Sequence, residues 1–133
     1  MLFDLFGTLV HYDAGRVSQS FPETYQFLHG LTGPTESPDY NSFLAQTERV
    51  FGELDAWSQA ERREFSMQDF AKRLLRELGV EATSNLLDQF SDLYTKEWSA
   101  DVTAVTGVHA FLSRCAKKFT TGVITNTHYE PMV

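Results

Sequence analysis

Met1-Leu2-Phe3-Asp4-Leu5-Phe6-Gly7-Thr8-Leu9-Val10 opens the chain. Residues 1–6 form an apolar run that predicts a strand buried on both faces, and Gly7 ends it. Asp4 interrupts that run. A carboxylate at such a position gives up water, which is costly unless it is paired or hydrogen-bonded. Two readings account for it. Either the acid is satisfied by the amides of the turn that follows, or it is a reacting group held at the end of a strand.

From about Asp13 the pattern becomes helical and stays so for most of the chain. Ser37-Pro38 supplies an N-cap and a proline for the first helical position. Tyr40, Phe43, Leu44, Thr47, Val50, Phe51 and Leu54 then follow at helical spacing. Ser66 and Asp69 make a capping-box start for Phe70, Ala71, Leu74, Leu75 and Leu78, with Gly79 as the C-terminal cap. Leu86, Leu87, Phe90, Leu93, Tyr94 and Trp98 mark another amphipathic helix. A further one, near Phe21 to Leu28, carries Pro22 in its first turn. After Ser99, a helix with Val108, Phe111, Leu112, Cys115 and Ala116 on one face precedes a strand over Phe119 to Thr125. Strand, long helical insert, helix and strand predict a parallel α/β core interrupted by a helical module. Its boundaries fall at residues 1–12 and 100–133 for the core and 13–99 for the insert.

The 133 residues carry a formal net charge of -7. No basic run breaks that balance, which argues against a nucleic-acid or anionic-membrane surface. One cysteine, Cys115, forms no internal disulfide. No apolar run approaches the about 20 residues that span a bilayer. A cytoplasmic protein acting on a small molecule is the expectation. The four histidines, His11, His29, His109 and His128, show no metal-ligand spacing.

Active sites of open parallel sheets form at the carboxyl ends of the strands. Asp4 and Thr125-Asn126 each lie near such an end. The carboxylate offers a nucleophile or a metal ligand, and the hydroxyl and amide offer neutral donors to an anion. Gly7 permits a sharp turn, expected to leave backbone N–H groups near the carboxylate for developing negative charge. The alternative is a structural aspartate and an ordinary Thr-Asn turn.

Phe3-Asp4-Leu5-Phe6-Gly7-Thr8-Leu9-Val10 resembles the first motif of the haloacid dehalogenase superfamily, D-x-(D/Y/F)-G-T-L after a hydrophobic strand. Val123-Ile124-Thr125-Asn126 is similar to the second, and residues 13–99 match the position of its helical cap. The resemblance implies a Rossmann-like parallel-sheet core with an inserted α-helical cap domain. It implies that Asp4 attacks carbon or phosphorus to give an aspartyl intermediate that water hydrolyses. Thr125 would bond the transferred group with help from Asn126, while Thr8 supports the loop. Phe6 and Gly7 would line the substrate site; His128, by its place after the second motif, is a further candidate, with a turn or surface role as its alternative. Where the family uses Mg²⁺, the Asp4 carboxylate and the backbone carbonyl of Phe6 would hold it.

Phosphatases of that family carry a second Asp at position 6 as general acid and base. Phe6 transfers no proton, and losing such a group costs ~10²–10⁴ in rate. A halide leaves without a proton, so Phe6 favours carbon–halogen chemistry, or phosphate esters with good leaving groups; a Mg²⁺-dependent phosphatase of the same superfamily is the alternative. The family's downstream Lys and acidic motif have no match after Thr125. The sequence is therefore expected to be a C-terminally truncated piece of a longer enzyme or a self-associating fragment, inactive alone. An inactive module that only packs or binds a partner is the reading of another class. Arg16, Arg49, Arg62 and Arg63 are candidate partners for a substrate carboxylate.

Overall fold

Four helices pack around aromatic side chains in the middle of the chain: α1 (Pro22–Thr32), α2 (Tyr40–Glu61), α3 (Met67–Glu77) and α4 (Ser84–Trp98). The structure is a computed structural model and describes residues 1–11, 20–33 and 37–125. Two units divide the chain: Met1–Gln19 with Ser99–Val133, and Ser20–Trp98.

In the helical unit, α3 presents Phe70, Ala71, Leu74 and Leu75 on one side, all fully buried, and Lys72, Arg73 and Arg76 on the other. That 3.6-residue periodicity buries one stripe and solvates the rest. Phe70 is the central ring, 5.5 Å from Phe51 of α2 and 4.9 Å from Tyr94 of α4. Phe43, Val50 and Phe90 complete the dry core.

The helix ends follow from short-range chemistry. Ser66 and Asp69 form the full capping box at α3. The helix stops at Gly79 (φ +73°): Val80 N–H donates to Leu75 C=O and Gly79 N–H to Arg76 C=O, a Schellman closure that glycine adopts readily. The cap of α2 differs from the Ser37-Pro38 expectation. Asp39 is the N-cap, and its carboxylate accepts N–H bonds from Asn41 and Ser42 and the Ser42 hydroxyl. Ser37 is already committed, since its Oγ donates to Gly33 C=O at the end of α1.

Phe21, at the N-cap of α1, has no polar side chain with which to cap it. Glu97 does so from the far end of the unit. Its Oε1 accepts Glu23 N–H at 2.8 Å, and its Oε2 accepts Thr24 N–H at 2.9 Å and the Thr24 hydroxyl at 2.6 Å. Phe21 stacks on Tyr94, centroids 4.4 Å apart, and its N–H donates to the Tyr40 hydroxyl.

The other unit is smaller. Parallel strands β1 (Leu2–Phe3) and β4 (Gly122–Val123) pair with Leu2 opposite Gly122 and Phe3 opposite Val123. A second, antiparallel pair joins β2 (Val10–His11) to β3 (Thr103–Ala104), which the sequence pattern did not reveal. Helix α5 (Val108–Ala116) packs Phe111 edge-on to Phe3 at 5.7 Å and buries Cys115. The fold is mixed α/β, and its described parallel sheet has two strands. The expectation of a strand buried on both faces is corrected: Leu2 is 64% exposed, and Asp4 is exposed as well. With one parallel neighbour among the described strands, β1 lacks the covering that makes such a strand dry. No helix among the described residues is long and apolar enough to cross a membrane.

Removing the remote cap is expected to loosen α1. Glu97→Ala should lower stability by about 1–2 kcal/mol, the range of a lost N-cap, and Glu97→Gln by less. Urea unfolding followed by helical circular dichroism measures both, and an unchanged midpoint for the alanine variant would refute the role. The acidic caps add a pH signature. Hydrogen bonds from the Ser42 hydroxyl and backbone hold the Asp39 carboxyl below its ordinary range, and those from the Ser66 backbone and hydroxyl do so for Asp69. A depressed folded value gives stability that is present above the unfolded carboxylate range and is lost as pH falls through the folded one. Acid unfolding of the Asp39→Asn/Asp69→Asn variant should therefore be shallower than that of the parent below about pH 4.

Candidate active site

Asp4 and Thr125 leave the same end of two paired parallel strands. The ladder that fixes this is short and in register: Gly122 N–H donates to Met1 C=O at 3.0 Å and Ile124 N–H to Phe3 C=O at 2.8 Å. One residue past the first bond's partner strand lies Asp4, and one past the second donor lies Thr125. The carboxyl ends of adjacent parallel strands are where such sheets bind ligands.

The Asp4 carboxylate is solvent-exposed, and its Oδ1 accepts the N–H of Leu5 at 2.9 Å. A dissolved substrate therefore has access to it. Thr125 differs. Its Oγ1 is shielded from solvent and has no hydrogen-bond partner among the described residues. A buried hydroxyl without a partner costs about 1–3 kcal/mol, and among the described residues Thr47, Ser91 and Thr95 of the helical unit share that state.

Between Asp4 and β2, the chain makes a closed turn. Leu5 C=O accepts N–H bonds from Thr8 (3.3 Å), Leu9 (2.9 Å) and Val10 (3.0 Å), while Gly7 N–H donates to Val10 C=O (2.9 Å). Gly7 has φ +76°, the left-handed region that glycine enters without steric cost. Of the backbone N–H groups expected near the carboxylate, that of Leu5 is bonded to it. The amides of residues 7–10 are consumed inside the turn, where the carbonyls of Leu5 and Val10 accept them. The convergence of three donors on Leu5 is the feature that sequence reasoning missed, and Gly7 is its only local signal. Phe6, half-buried, bridges to Val10 within the same turn, and Thr8 is exposed on it.

Asn126 and His128 lie outside the described residues, as does Arg16. Of the remaining arginine candidates, Arg49 is already engaged. It pairs with Glu53 at 2.7 Å and with Glu77, and Arg73 contacts both of those acids, closing a ring of four charges between α2 and α3. Arg62 is the exposed left-handed cap of α2, and Arg63 donates its backbone N–H to Ser58 C=O. Among the described residues, no three His, Cys, Asp or Glu side chains are grouped to hold a metal. Asp4 supplies one carboxylate and Phe6 one backbone carbonyl; Mg²⁺ sites use one or two carboxylates and complete their shell with water and substrate oxygens.

The Thr125 hydroxyl separates structure from function experimentally. Thr125→Val keeps the shape and removes the orphan oxygen, so it is expected to leave stability unchanged or to raise it by up to about 1 kcal/mol. A loss of more than that in urea unfolding would show that the hydroxyl has a structural partner. No family model, no curated protein and no solved structure matches the chain.

Proposed function

We propose that the chain belongs to a haloacid dehalogenase-like hydrolase that works through a covalent ester on Asp4. One observation carries this reading: an accessible carboxylate and a buried hydroxyl with no partner among the described residues emerge at the same end of two hydrogen-bonded parallel strands. A carboxylate oxygen of Asp4 attacks the carbon that bears the halogen. The C–O bond forms as the carbon–halogen bond breaks, and the halide leaves with the bonding pair. Water then attacks the Asp4 ester carbonyl, the ester bond breaks, and the hydroxy acid and a proton are released with the carboxylate restored.

In this reading Thr125 donates its hydroxyl hydrogen bond to the anionic substrate, which gives the orphan oxygen its partner and explains why the position tolerates a buried polar group. Asn126 assists from the next position. The Leu5–Val10 turn lends Asp4 the amide of Leu5 and keeps those of residues 7–10 for itself. Phe6 supplies an apolar wall and no proton, which suits a leaving group that needs none. In the phosphatase alternative, Mg²⁺ on Asp4 and the Phe6 carbonyl would offset charge on a phosphoryl group.

Assay of the full-length gene product with 2-haloacids and aryl phosphates, each with and without Mg²⁺, tests the proposal. Metal-independent halide release is expected, falling by about 10³-fold or more in Asp4→Asn and strongly in Thr125→Val. Phosphate release that requires Mg²⁺ would favour the alternative. Turnover that survives Asp4→Asn, or no turnover of either substrate class, would overturn the assignment.

A further inference from the structure

We draw no further inference here: the strongest candidate, the exposed apolar surface patch at the β1–β4 sheet that includes Leu2, Val123 and Ile124, has nothing in the structure to show what covers it.

Discussion

The carboxylate of Glu97 holds the first helix of the helical unit to the last. Its two oxygens take the first free N–H groups of α1, which begins on Phe21 and Pro22 and has no capping side chain of its own. A negative charge at a helix N-terminus gains from both the unpaired donors and the helix dipole. The bonds join residues more than seventy positions apart, with α2 and α3 in the chain between the two partners. Phe21 on Tyr94 and Lys96 on Glu23 reinforce the same junction. The chain therefore enters and leaves the helical unit at neighbouring points. That is the geometric condition for interrupting another fold without tearing it.

A different economy governs the smaller unit. Its strands are two residues long, and its organisation depends on backbone pairing and on the contact of Phe3 with Phe111 more than on a dry core. The register between β1 and β4 sets which side chains follow them. A shift of one residue would replace Thr125 by Ile124 or Asn126 beside the end of β1. The ladder bonds from Gly122 and Ile124 are thus the structural origin of the candidate site.

The sequence was most legible where the physics is local. The Ser66–Asp69 box, the Gly79 stop and the amphipathic stripes of α3 and α4 could be read from spacing, because their partners lie within four residues. Legibility failed where two local solutions competed or the partner was remote. Ser37-Pro38 was the expected start of α2; Asp39 takes that role with two acceptor oxygens, and Ser37 serves the helix before it. Glu97 carries no mark in the sequence that it caps α1. The β2–β3 pair is too short to show alternation. The wetness of Asp4 was invisible too, since an apolar run reports what a strand prefers and not whether anything lies against it. For the candidate site, the residue types at 4 and 125 and their place after strands were legible, whereas the inward commitment of the turn amides was not.

The turn after Asp4 is specified almost wholly by backbone. Leu5 lends a carbonyl, Gly7 a left-handed conformation, and residues 8–10 their N–H groups. The loop therefore separates heritable shape from heritable chemistry. The peptide groups that close the turn are common to every residue type but proline, and the left-handed backbone at position 7 is the place that favours glycine. A turn closed this way keeps its closing hydrogen bonds in groups that a side-chain substitution does not remove.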